Sequence, residues 1–439
     1  MFSLLEARKS RHQTQIDRNI WQLAWPMILA NISVPLLGFV DTAVIGHLPN
    51  SNFLAGTALG SLLITVLFWL LGFLRMSTTG LVAQTAGRGD RLESNRYLAQ
   101  GIGIALLLAF VILMLQGYLF ALLPYLTGHD AQVQMSLEYA RMYFDIRIWI
   151  TPVSLCNLVL TGYLIGQGQT KRVLTAVIVC NLVNLFADIL FVPVMGLGVE
   201  GVAYATVLAE LTQFVLLAMV IVPQAQISKW QKSWFTHNLR QAFKLNSTLF
   251  FRSALLQLCL SFMTLYASNY GAQAIAINAI LMQFFLFISF AMDGIAFALE
   301  SIVGNYYGAS QTWKAKLNIR RGFVMAFKFS LVYSLVYVFC YDWIVMLLTD
   351  ISDLRVALQQ YWLVVICLPL VSFASFIYDG IFVGLAWVKQ MRNSMLHAAV
   401  VYFLAVWLTL SLNNLGLWMA FLSFMLARGA SQYFYLKKF

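Results

Sequence analysis

Charge is scarce in this chain: Asp, Glu, Lys and Arg make up 10% of its 439 residues, against 61% hydrophobic residues. Together with a positive mean hydropathy, that balance excludes a soluble globular protein and makes the chain a polytopic membrane protein. Cysteine is sparse too. Cys156, Cys180, Cys259, Cys340 and Cys367 all fall inside apolar segments without CxxC spacing, which argues against disulfides and metal clusters. His12, His47, His129 and His237 sit at loops or segment ends and His397 is isolated. An intramembrane enzyme such as a transferase therefore lacks a nucleophile–base or metal spacing.

What the chain does have is a series of long apolar runs. Segments able to cross a ~30 Å hydrocarbon core fall near 20–48, 52–85, 95–125, 131–166, 171–193, 199–223, 244–269, 273–306, 318–348, 354–386, 391–412 and 415–436, twelve in all. Residues 1–19 are polar, and the apolar run after them is too long for a signal-peptide core and has no small-residue cleavage site at its end, so the first helix is expected to be retained.

Basic residues fall in alternate loops. Arg8, Lys9, Arg11 and Arg18 precede helix 1; Arg88, Arg91 and Arg96 follow helix 2; Lys171 and Arg172 follow helix 4; Lys229, Lys232, Arg240 and Lys244 follow helix 6. The second half continues with Lys314, Lys316, Arg320 and Arg321, then Lys389 and Arg392, then Arg428, Lys437 and Lys438. The intervening loops have no Lys or Arg except Arg355, so both termini are expected on the cytoplasmic side. The excess of 28 Lys and Arg over 17 Asp and Glu belongs to these loops and to contact with anionic lipid, not to nucleic acid.

The two halves repeat. An offset of 221 places Thr57 on Asn278, Val82 on Val303, Gln84 on Asn305 and Gly87 on Gly308, and an offset of 218 places Gly162 on Gly380, Gly166 on Gly384 and Lys171 on Lys389. The expected fold is an all-α membrane protein of two six-helix lobes. Because six is even, the lobes share one orientation and should be related by a pseudo-twofold axis along the membrane normal. Residues 1–19 form a cytoplasmic segment, 20–223 the N-lobe, 224–243 a cytoplasmic linker and 244–439 the C-lobe. Two lobes around a cleft suit a transporter.

The few acids inside spans are the candidate functional residues, since an intramembrane carboxylate costs roughly 2.5–3.5 kcal/mol on insertion scales and persists where it faces a bundle interior or a polar cavity. Helix 1 carries Asp41 and is expected to be interrupted at Pro26 and Pro35, which makes it a candidate hinge. On helix 5, Asn181, Asn184 and Asp188 share one face, and Asp188 should lie at the depth of Asp41. Thr206 of helix 6 comes to a comparable level, with Glu210 deeper, and Asn157 of helix 4 is expected to complete the site. Such a pair of carboxylates suits proton exchange, and the same oxygens suit Na⁺. In the second lobe Asp293, Glu300 and Asp379 fall in the cytoplasmic half, near Arg75, Arg252 or Lys328, as candidates for further coupling, a gate or a structural ion pair.

The segments WPMILANISVPLLGFVDTAVIGHL, NLVNLFADILFVPVMGLGVEGVAYATVLAE and MDGIAFALESIVGNYYGA resemble multidrug and toxic compound extrusion (MATE) transporters, the last of them the DinF-type branch. The resemblance covers essentially the whole chain. It implies a V-shaped, two-lobed antiporter, with no cofactor, that exports organic, often cationic compounds in exchange for H⁺ or Na⁺. It also implies a cation site at the positions of Asp41, Asp188, Asn184 and Thr206, and a helix 1 that bends at its proline on protonation. The NorM-type branch carries an acid on helix 7; helix 7 here has none, which favours H⁺. The resemblance places the protein in a bacterial inner membrane, as a monomer whose partners are small organic substrates and lipids. A flippase for a lipid-linked substrate would call for a strongly basic central cavity, whereas the basic residues here are mostly in loops. GRGDRLESN between helices 2 and 3 is only a loose match to the major-facilitator loop.

Overall fold

The structure, a computed structural model, describes the backbone of residues 2–46, 51–127, 131–226, 230–236 and 239–439, and within them the side chains of 13–35, 38, 53–124, 134–226, 230–231, 233–235 and 239–439. The chain is helical, with no strand among the described residues. The first half consists of α1 (Phe2–Gly46), α2 (Ser51–Leu70), α3 (Phe73–Arg88), α4 (Arg91–Thr127), α5 (Ala131–Arg147), α6 (Thr151–Gly166), α7 (Thr170–Ile189) and α8 (Gly198–Ala225). A short α9 (Lys232–Thr236) leads to α10 (Leu239–Tyr266), α11 (Ala272–Gly308), α12 (Thr312–Leu348), α13 (Ser352–Leu358), α14 (Trp362–Gly384), α15 (Val388–Leu408) and α16 (Asn413–Leu436).

Among the described residues eleven spans are long and apolar enough to cross a membrane, from Phe53–Arg88 to Leu410–Leu436. The remaining expected segment lies in α1. Helices are the natural outcome, because in lipid every backbone N–H and C=O must be satisfied within its own segment. Phe339, Trp343 and Leu347 on α12 are each more than three-quarters exposed, as side chains facing hydrocarbon are. The expected helix 4 is broken at a 3₁₀ turn, Ile148–Ile150, just before Pro152 in the first turn of α6; proline has no N–H to continue the preceding helix and suits a helix start. Helix 1 departs from expectation in the other direction, since α1 runs through Pro26 and Pro35 without interruption.

Two compact units emerge: Leu29–Phe243, and Lys244–Phe439 together with Met1–Ile28. The sequence reading put all of helix 1 in the N-lobe, but its first half packs with the C-terminal unit. Arg321 Nε donates to Asp17 Oδ1 at 2.8 Å, the Trp21 and Phe329 rings lie 5.6 Å apart, and a Cβ on Gly294 would stand 2.7 Å from the Ile28 nitrogen. Asp17→Ala is expected to lower the thermal midpoint only slightly, the pair being partly exposed and worth about 0.2–1 kcal/mol; a melt of the purified variant checks this.

The duplication shows in atomic detail. A Cβ on Gly162 would meet the Arg75 carbonyl at 2.6 Å, and one on Gly380 the Ala296 carbonyl at 2.4 Å. Likewise a Cβ on Gly166 would meet Thr79 O at 2.9 Å, and one on Gly384 Glu300 O at 2.7 Å. The partners Arg75 and Ala296, and Thr79 and Glu300, are each separated by the 221 residues of the sequence repeat. Each unit thus docks α6 on α3, or α14 on α11, through glycines that let two backbones touch.

Candidate coupling site

Helix α7 carries the polar stripe. Asn184 and Asp188 have no exposed surface, and Asn181 is half-buried. Just past Asp188 the chain widens into a π turn, Leu190–Val194, containing Pro193; such turns arise where proline leaves the regular ladder incomplete and often mark functional positions. Asn181 Nδ2 donates to Ser33 Oγ of α1 at 2.8 Å, so the stripe faces α1. Thr206 stands half-buried on α8, its hydroxyl donating to Val202 O at 2.9 Å. Asp41 falls within α1, but its side chain lies outside the described residues.

Asn157 and Glu210 are joined to each other. Asn157 Nδ2 donates to the backbone carbonyl of Glu210 at 3.0 Å, and the Glu210 carboxylate accepts from Arg147 Nη2 at 2.8 Å and from Ser154 Oγ. Asn157 is therefore turned toward Glu210, where the sequence reading had it completing the site of Asp188. Arg147 is 5% exposed and sequence reasoning passed it over. The signal was present: an arginine deep inside the Gln134–Gly166 span must find an acid or an aqueous path.

In the C-terminal unit Asp379 is the hub. Its Oδ2 accepts from both Arg252 Nη2 and Arg428 Nη2, and its Oδ1 accepts from Gln432 Nε2 at 2.7 Å. Arg428 corrects the topology reading, which counted it with the cytoplasmic basic residues. Helix α16 continues to Leu436, so Arg428 lies two turns inside it, 2% exposed, and its charge is balanced by Asp379. Asp293 accepts from Ser289 Oγ at 3.4 Å, and Glu300 is buried against α14 beside Gly384.

The MatE family model matches residues 26–190 and 249–408, one segment in each half. The DNA damage-inducible protein F of Escherichia coli (strain K12) is 36% identical over 428 residues, covering 95% of this chain and 91% of that protein. A protein named probable multidrug resistance protein NorM, from Bacillus anthracis, is 26% identical over 76% of this chain and 74% of its own length. Among solved structures, the outward-facing conformation of a multidrug resistance MATE family transporter superposes with a TM-score of 0.84 at 17% identity, covering 96% of this chain and 95% of that one. With both halves matched by one family model and nearly the full length shared with a DinF protein, the chain belongs to the MatE family, in its DinF-type branch, and is a multi-pass membrane transporter, not an enzyme.

Proposed function

We propose that this transporter exports organic, cationic or amphipathic toxic compounds in exchange for protons, with Asp188 and Asp41 as the proton site. The observation that carries the reading is the bond from Asn181 to Ser33. Helices α1 and α7 both run outward from the basic side of the membrane. Asp188 lies seven residues beyond Asn181 and Asp41 eight beyond Ser33, so about 10–12 Å further on the two acids come to one level. Burying an ionised carboxylate is costly unless it is paired or neutralised, and Asn184 and Thr206 supply the polar neighbours.

Helix α1 is the transmission element in this reading. It passes from one compact unit to the other between Ile28 and Leu29, inside the interval from Pro26 to Pro35. A proton taken up from outside changes α1 over that interval, substrate leaves, and return to the inward-open state releases the proton. One proton crossing a ~150 mV potential supplies about 3.5 kcal/mol, enough for roughly a 300-fold substrate gradient. Protons are favoured over Na⁺ because α10 has no acid and the Asp379 oxygens are taken by two arginines and a glutamine. Glu210, held by Arg147, serves structure in this scheme. The protein acts as a monomer in a bacterial inner membrane, with both termini cytoplasmic.

The test is dye-induced proton release from sodium-free vesicles containing the purified protein, across a panel of cationic dyes. Wild type is expected to exchange dye for protons, and Asp188→Asn and Asp41→Asn to lose exchange while keeping their thermal midpoints. Unchanged transport in both variants, or transport only with sodium, would sink the proposal.

A further inference from the structure

A cavity of about 390 Å³ opens in the C-terminal unit at the start of α11, the turn before α14 and the start of α16, at the helix ends opposite Lys314, Lys316 and Lys389. Its lining includes Tyr270, Gln273, Ala274, Gln360, Tyr361 and Asn414, and no charged residue among the described residues. Asn414, 5% exposed, donates through Nδ2 to Asn278 Oδ1 at 2.9 Å and to the Tyr361 hydroxyl at 3.0 Å. Trp418 Nε1 donates to the same Asn278 oxygen at 2.7 Å. One acceptor, Asn414 Oδ1, and one donor, Asn278 Nδ2, remain buried without a hydrogen-bond partner, an arrangement that disfavours the packed state.

The duplication supplies an internal control. The repeat offsets set Tyr361 on Tyr143, Asn278 on Thr57 and Ala274 on Phe53. Aligning Gly201 with Gly416, each packed on the turn before its helix, sets Asn414 on Val199 and Trp418 on Ala203. In the N-terminal unit Tyr143, Val199 and Ala203 belong to a hydrophobic cluster with Val192 and Val202, and Phe53 packs against it. Where one half fills the place with Phe53 and Val199, the other has Ala274, Asn414 and an opening.

We infer that this cavity binds a neutral, hydroxyl-rich group, a sugar or polyol, at a site separate from the proton pair. A charged ligand would meet no opposite charge to offset its desolvation. A hydroxyl both donates and accepts, which suits the lining amides of Gln273 and Gln360. The half-buried ring of Tyr270 provides flat apolar surface for the C–H face of a sugar, and Tyr361, 2% exposed, backs the cavity. The volume lies at the lower end of the ~300–1,000 Å³ range of small-molecule sites, sized for one or two sugar rings.

Calorimetric titration of the full chain in an amine-oxide detergent, free of glycosides, tests this with maltose and with dodecyl maltoside as probes. Binding of both is expected if the sugar suffices, and of the alkyl glycoside alone if the sugar arrives on a lipid. Ala274→Phe, which fills the cavity as Phe53 does in the other half, and Gln273→Ala should each weaken binding about 10-fold or more, the loss of one hydrogen bond or of the space itself. Proton–dye exchange should survive in both variants, which separates this site from the coupling site. No binding of either probe, equal binding of glucuronate, or binding indifferent to Ala274→Phe would overturn the inference.

Discussion

Asp379→Ala is expected to lower the stability of the C-terminal unit by about 3–5 kcal/mol, the cost of leaving buried charge without its partner. Arg252 and Arg428, whose side chains are 7% and 3% exposed, both donate to one oxygen of Asp379, and Gln432 holds the other. Removing the acid strands two cations and an amide at once. Arg252→Met should cost less than Asp379→Ala, because Arg428 still balances the acid. In the Asp379→Leu, Arg252→Met, Arg428→Met triple variant most of the loss should be recovered, since apolar residues of similar volume replace buried ion pairs at little cost. Asp145→Ala is the control: its partner Arg141 and the acid itself are each 48% exposed, and its midpoint should move by no more than about 0.5 kcal/mol equivalent. Thermal and denaturant unfolding in detergent read all four. A triple variant less stable than Asp379→Ala would mean that the cluster contributes more than charge balance.

Gly380→Ala is the second large effect, and here the obstacle is space. The added carbon would lie 2.4 Å from the Ala296 carbonyl oxygen and 2.8 Å from its carbon. Both atoms are backbone in the middle of α11, so no side chain can rotate away and the two helices must separate. Overpacking of this kind costs about 1–3 kcal/mol, occasionally more. Gly162→Ala should act the same way in the N-terminal unit, against Arg75 O at 2.6 Å. Gly117→Ala has the opposite sign, because nothing lies within 4 Å of its Cβ position on α4; alanine there should stabilise by about 0.5–1 kcal/mol. Size-exclusion profiles after graded heating distinguish the three. A Gly380→Ala protein as stable as wild type would show that α11 and α14 have slack.

Asp379 was recognisable as an acid within a span, and Arg252 was one of three cations placed near it. Arg428 fell inside the expected span 415–436 but was grouped with the cytoplasmic cations, and its partner Asp379, on another helix, shows only in the packed bundle. Asn157 illustrates the same difficulty within one unit. Its depth suited the Asp188 site, whereas its amide meets the Glu210 carbonyl, and which residue of a neighbouring helix a given face meets is not written in the periodicity of its own segment.

By itself the sequence determined the helical spans, their alternation of basic and neutral loops, and the duplication. Those properties depend on runs of residues and on spacing, which lipid enforces locally by requiring each segment to satisfy its own backbone. Tertiary structure alone decided which side chains share a charge, how the first half of α1 joins the C-terminal unit while the second half faces α7, and that one copy of the repeat is filled with hydrocarbon where the other is open and polar. Each of these depends on which helix faces meet, and helix faces far apart in sequence meet only when the whole bundle packs.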